Sequence, residues 1–149
     1  MARIKINLPQ NFVFKTQIRT QIGDVNYGGH MGNDAYLKLA HEARIQFLES
    51  NNWSEIDVDG HGLIMSDAAI QFMGEVFRGD ELMVEIAVDE VSKRGFDLYY
   101  TFTRIGDNKL IAKIKTGMLL FDYSIKRLAT ASEQTINKLT DLTGQDVHN

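Results

Sequence analysis

Between Gly23 and Arg44 the chain reads GDVNYGGHMGNDAYLKLAHEAR, with Asp24, Asn26, His30, Asn33 and Asp34 crowded ahead of an apolar stripe. The stripe, Tyr36, Leu39, Ala40, Ala43 and Phe47, has helical spacing and predicts a helix over Asp34–Glu49. The polar residues therefore gather at a helix N-terminus, where unpaired backbone N–H groups and the helix dipole stabilise negative charge on an oxygen. Asn33 suits the N-cap, because a short side-chain acceptor can take one of those N–H groups, and Asp34 complements the dipole in the first turn. His30 is the first candidate for moving a proton, since imidazole titrates near neutral pH. The carboxylates of Asp24 and Glu42 are the reserves.

Each of these residues also has a structural reading. His30 can serve simply to bond loop backbone, and Asn33 would act as a cap through its side chain while offering chemistry only through its N–H. Asp24 suits an Asx turn, and Gly28 and Gly29 suit positive φ or the close approach of a ligand to backbone. Glu42 can pair with Lys38 one turn earlier or with Arg44 of the partner subunit. Lys93-Arg94-Gly95 combines two cations with turn amides, a pattern that either meets an anionic group or forms a solvated hairpin tip.

The elements that must position this cluster can be read from periodicity. A period-two pattern over Phe12–Arg19 predicts a strand before the helix. Four further strand-like runs follow it, Leu63–Phe77, Glu81–Val91, Phe96–Arg104 and Lys109–Tyr123. Arg78-Gly79-Asp80, Lys93-Arg94-Gly95 and Gly106-Asp107-Asn108 have the form of turns between antiparallel neighbours, which predicts a meander. Ser132 can cap a short last helix carrying Ile136, Leu139 and Leu142. One long helix with a broad apolar face, covered by one sheet, gives an α+β domain spanning residues 1–149. Because the helix covers only one sheet face and both sheet edges remain, two copies are expected to pair.

Composition narrows the possible functions. The chain has 149 residues with 44% hydrophobic, ordinary for one domain with a packed core, and its net charge of −4 gives no footprint for nucleic acid. It has no cysteine, which excludes disulfides, thiolate nucleophiles and cysteine-bound zinc. No apolar run is long enough for a membrane span and the start does not resemble a signal sequence, so a cytoplasmic protein is expected. "DVDGHG" from Asp57 opens like a calcium loop, but His61 and Ala68 stand where oxygen ligands are needed. His30, His41, His61 and His148 lack close ligand spacing, so neither a metal nor another cofactor is expected.

The run Asp24-Val25-Asn26-Tyr27-Gly28-Gly29-His30-Met31-Gly32-Asn33, continuing through Tyr36-Leu37 to Glu42-Ala43-Arg44, resembles the signature of hotdog-fold acyl-CoA thioesterases of the 4-hydroxybenzoyl-CoA thioesterase type. The stretch from Phe72 to Phe102 is similar to that family's meander. The resemblance implies a hotdog fold, an antiparallel sheet wrapped around one long central helix, in a homodimer or homotetramer with active sites between subunits. It further implies a thioester substrate carried on coenzyme A or an acyl carrier protein, and a carbonyl polarised by N–H groups at the helix start, around Asn33 and Gly29. Lys93, Arg94 and Gly95 would then meet the phosphates of coenzyme A. The family's catalytic Asp falls at Asn26, and an amide cannot take water's proton as a carboxylate does, although it can orient water or hydrogen-bond the thioester. Plant acyl-carrier-protein thioesterases, which also resemble this segment, have an Asp, an Asn two residues later and a His; Asp24 and Asn26 match that spacing, and His30 lies further on.

The leading expectation is an acyl-CoA thioesterase in which Asn26, with His30 or Asp24, handles water. The alternative is a binder of acyl thioesters that does not hydrolyse them, favoured by Asn26. A hydratase would require a poised Asp and His pair and fits the order around His30 and Asn33 less well. Phe72, Phe77, Tyr99 and Tyr100 either line an acyl tunnel or fill the core.

Overall fold

The computed structural model describes residues 2–144. Its strands are β1 (Phe14–Arg19), β2 (Gly62–Phe72), β3 (Glu81–Ser92), β4 (Gly95–Arg104), β5 (Lys109–Asp122) and the short β6 (Arg127–Leu128); its helices are α1 (Asn33–Ser50) and α2 (Glu133–Asp141). All the strands belong to one antiparallel sheet of order β1-β3-β4-β5-β2, with β6 on β5. Alternation determines which face is buried. Leu82, Val84, Ile86, Leu98, Tyr100, Phe102 and Ile114 turn inward and are fully buried. They meet the α1 stripe of Tyr36, Leu39, Ala40, Ala43 and Phe47, whose alanines let the helix lie close to the sheet. This is the hotdog arrangement, one sheet around one long helix. Ser132 caps α2, its Oγ accepting the Thr135 N–H at 3.2 Å.

Two expectations are corrected. The run Leu63–Phe77 is not one strand, because β2 ends at Phe72. Nor does Arg78-Gly79-Asp80 turn back onto a neighbour, since β2 pairs with β5 while β3 pairs with β1 and β4. The chain leaves the β2 edge near Gly74 and crosses to the far side of the sheet. There the Met31 N–H donates to the Val76 carbonyl at 2.7 Å and the Gly79 N–H to that of Thr20 at 2.9 Å. Val76 is fully buried, so this crossing is anchored by packing as well as by hydrogen bonds. The periodicity does not reveal β6 or a short 3-10 turn at Ile22–Asp24, because neither is long enough to show a period.

One charged side chain is buried in the helix–sheet interface. Arg44 Nε donates to Glu55 Oε1 at 3.2 Å and a terminal nitrogen donates to Tyr100 Oη at 3.2 Å; that hydroxyl in turn meets Thr116 Oγ1 at 2.8 Å. Burial acts to lower the pKa of the guanidinium, but Tyr100 and Glu55 outweigh it and the net direction is upward, so Arg44 stays charged. Replacing Arg44 with Met should lower unfolding free energy by about 2–4 kcal/mol in urea titration, because Tyr100 and Glu55 lose a charged donor. Lysine should restore less than half of this, lacking the fork that reaches both partners.

Candidate functional site

The polar segment ahead of α1 folds as a tight hairpin. Val25 bridges Met31, the Asn26 N–H donates to the His30 carbonyl at 2.9 Å, and the Gly29 N–H donates to the Asn26 carbonyl at 3.0 Å. Gly29 has φ +88, a conformation glycine adopts without strain. Asn26 Oδ1 accepts the Gly28 N–H at 2.9 Å, which makes Asn26 the Asx-turn residue and leaves its amide N–H₂ free to donate. Asp24 is buried beneath the hairpin with both carboxylate oxygens engaged, Oδ2 by the Gln21 N–H at 2.9 Å and Oδ1 by Lys38 Nζ at 2.5 Å. Its carbonyl accepts the Gly32 N–H at 3.0 Å.

Asn33 is not the N-cap. That position belongs to Gly32, and Asn33 is the first helical residue, with no side-chain cap bond at this helix end. Glycine is among the residues that tolerate the N-cap conformation, and the Asp34 carboxylate folds back toward it, Oδ1 lying 2.7 Å from where a Gly32 Cβ would be. Asn33 and Asp34 are exposed, and among the described residues no protein group accepts their backbone N–H. The positive end of α1 is thus open to solvent.

His30 sits half-buried beside this opening. Its Nδ1 faces the Met31 carbonyl at 3.3 Å, a contact this nitrogen makes as a donor. Nε2 points toward the turn, 3.6 Å from where a Gly28 Cβ would be. Next to the site the Tyr36 phenol is raised above its ordinary value by burial and by the charge of Glu75, so it stays protonated; its hydroxyl approaches the Gly74 carbonyl at 3.5 Å.

The structure brings Asn26, Gly29, His30 and Asn33 into one turn and separates the others from it. Glu42 lies about 13 Å further along α1. It accepts from Gln46 Nε2 at 2.9 Å and does not pair with Lys38, whose partner is Asp24. Lys93, Arg94 and Gly95 form the β3–β4 hairpin, with the Arg94 N–H donating to Ser92 Oγ at 3.1 Å. That hairpin lies at the opposite end of the sheet, about 35 Å along β3 from its start near Thr20. Sequence reasoning does not show that Lys38, Val76 and Phe77 hold the hairpin in place, Phe77 by bridging His30. All three become neighbours of the site only through the fold.

The thioesterase-like superfamily matches residues 20–139, and the chain belongs to it. The class is therefore that of hotdog-fold thioester hydrolases. Among similar solved structures is a 1,4-dihydroxy-2-naphthoyl-CoA thioesterase from Synechocystis, 19% identical, with TM-score 0.77 over 89% of this chain and 98% of that one. A thioesterase from Thermus thermophilus, complexed with coenzyme A and Zn, is 18% identical with TM-score 0.77 over 92% and 99%. A hypothetical protein from Staphylococcus aureus in complex with CoA is 14% identical with TM-score 0.79 over 97% and 92%. No curated protein matches the chain. Among the described residues no helix is long and apolar enough to cross a membrane.

Because both oxygens of Asp24 are engaged, the geometry gives it the role of a clamp. Asp24→Asn and Lys38→Met should then behave alike, each costing about 1–2 kcal/mol of stability and lowering turnover to a similar extent. A general base would make Asp24→Asn far more damaging than Lys38→Met, which paired melting curves and rate measurements would reveal.

Proposed function

We propose that the chain hydrolyses an acyl-CoA thioester at the open N-terminus of α1, using His30 as general base. The observation that carries this reading is the pair of unpaired N–H groups at Asn33 and Asp34, set beside an imidazole whose Nδ1 is tied to a carbonyl. The thioester oxygen lies against those N–H groups. Nε2 of His30 takes a proton from water as the water oxygen bonds to the carbonyl carbon, and the resulting oxyanion is held by the helix end. Collapse breaks the carbon–sulfur bond, and the departing thiolate takes the proton from the imidazolium, giving a carboxylic acid and a free thiol. Each such N–H is worth about 2.7–4 kcal/mol at enzyme sites of this type, so the helix end supplies much of the stabilisation without a carboxylate at position 26. Asn26 contributes its amide N–H₂ as a donor toward water or substrate.

Coenzyme A is favoured as the carrier because two of the similar structures are named as CoA complexes. The acting form is a homodimer or a larger homo-oligomer, and the setting is the cytoplasm. Incubating the protein with a panel of acyl-CoAs and a thiol-reactive dye should release thiol from at least one member. His30→Ala should then lower kcat by about 10²–10⁴. Saturable binding of acyl-CoAs with no thiol released by any member of the panel would overturn the proposal.

A further inference from the structure

The carboxylates around the turn differ in whether they are free to act on a substrate. Asp24 has both oxygens engaged, and Asp80 Oδ2 accepts the Phe77 N–H at 2.9 Å. Asp34 folds back toward Gly32 at the helix start. Glu75 lies in the crossing between β2 and β3. It is exposed, and among the described residues its carboxylate has no hydrogen bond or ion pair.

The position of Glu75 follows from the pairing of two short segments. His30 and Phe77 are antiparallel bridge partners, and the Met31 N–H donates to the Val76 carbonyl at 2.7 Å. Carried one step further, this register sets Glu75 opposite Gly32, the N-cap of α1. Side chains alternate along both segments: Met31 and Val76 are buried, while Glu75 and Phe77 are exposed and His30 is half-buried. Glu75 therefore stands on the same face as His30, as its diagonal neighbour, across a backbone separation of roughly 7–8 Å that long side chains can bridge. A second contact places it independently. The Tyr36 hydroxyl, in the first turn of α1, approaches the carbonyl of Gly74 at 3.5 Å, and the charge of Glu75 reaches that phenol.

The main chain of Glu75 is braced while its side chain is left free. Arg104 Nη1 donates to the Glu75 carbonyl at 2.5 Å, and the rest of its fork is committed to Asp107, Nε at 2.9 Å and Nη2 at 2.6 Å. Arg104 holds the Asp107 carboxyl down at about 2, so this pair stays ionised across the neutral range. The cation beside Glu75 thus fixes its backbone without neutralising its carboxylate.

We propose that Glu75 is a catalytic carboxylate of this site, accepting one hydrogen of the attacking water while His30 takes the other. The assignment rests on the thioesterase reading of the turn. The water oxygen accepts from the Asn26 amide and presents its remaining lone pair to the carbonyl carbon. As the carbon–oxygen bond forms, Nε2 of His30 takes one proton, and the other hydrogen stays on the oxygen, bonded to Glu75. Collapse expels the thiolate, which carries off the imidazolium proton as a thiol, and Glu75 ends as it began. Asn26 cannot perform this task, because its N–H₂ only donates and its Oδ1 is held by the Gly28 N–H.

Glu75→Gln keeps the size of the side chain and removes its charge. For an acyl-CoA that the unsubstituted protein hydrolyses, it should lower kcat by roughly tenfold or more, with KM within about twofold and an unchanged melting temperature. A kcat within about twofold of the unsubstituted value would overturn the proposal, as would a loss carried wholly by KM. Placement is read separately, without substrate. In proton–carbon NMR spectra the His30 ring signal, assigned by its loss in His30→Ala, should move on Glu75→Gln while those of His41 and His61 stay in place. A His30 signal that does not move would put Glu75 away from the imidazole and overturn the assignment. Hydrolysis of no acyl-CoA by the unsubstituted protein would reject the thioesterase reading and the catalytic role with it; a moved His30 signal would still show the carboxylate beside the imidazole.

Discussion

The carboxylate of Asp24 sets the geometry on which the site depends. Buried under the hairpin, it accepts the Gln21 N–H and the Lys38 ammonium, while its own carbonyl accepts the Gly32 N–H. Three segments are thereby fixed to one another: the end of β1, the turn before α1, and the first turns of α1 itself. A buried carboxylate without a counter-charge is costly, so Lys38 is held inward against it even though its own side chain is largely exposed. The consequence for function is indirect. With Gly32 satisfied by Asp24 and, among the described residues, no protein acceptor for the Asn33 or Asp34 N–H, the helix starts with unpaired N–H groups.

The second constraint is how α1 is seated. Its alanines and Phe47 pack on the inward residues of β3, β4 and β5, and each large apolar side chain buried there contributes about 1.5–3 kcal/mol. Apolar packing permits small slides of a helix along a sheet, whereas the fork of Arg44 between Glu55 and Tyr100 does not. Glu55 belongs to the loop between α1 and β2, and it also pairs with His41 Nε2 at 2.8 Å. The same buried cation therefore sets the height of α1 over the sheet and the position of the loop that carries His61.

Much of this is legible in the sequence where a period or a local rule governs. The α1 stripe, the strand faces and the Ser132 cap follow from side-chain alternation and capping chemistry. Strand order is not legible, because alternation tells which side of a strand is buried but not which strand lies beside it. Thus β2 reads as a neighbour of β3 although it pairs with β5. The cap lies one residue earlier than Asn33 because glycine also tolerates the N-cap conformation. Helical spacing offers Lys38 to Glu42, yet the buried Asp24 holds it, since an exposed carboxylate such as Glu42 is already satisfied by water. The hairpin can be located from its residue types, but its anchorage to Val76 and Phe77 depends on a chain crossing that no local pattern encodes.

The amide at position 26 is consistent with this division of labour. Its side-chain oxygen is committed to the Gly28 N–H, so even a carboxylate there would have one oxygen engaged in holding the turn. An amide performs the same structural task without adding negative charge beside the place where an oxyanion must form, close to a second carboxylate at Asp34. It also offers two N–H donors where a carboxylate offers none. In the proposed mechanism the helix end and a donor at position 26 stabilise charge, and the imidazole beside the Met31 carbonyl transfers the proton.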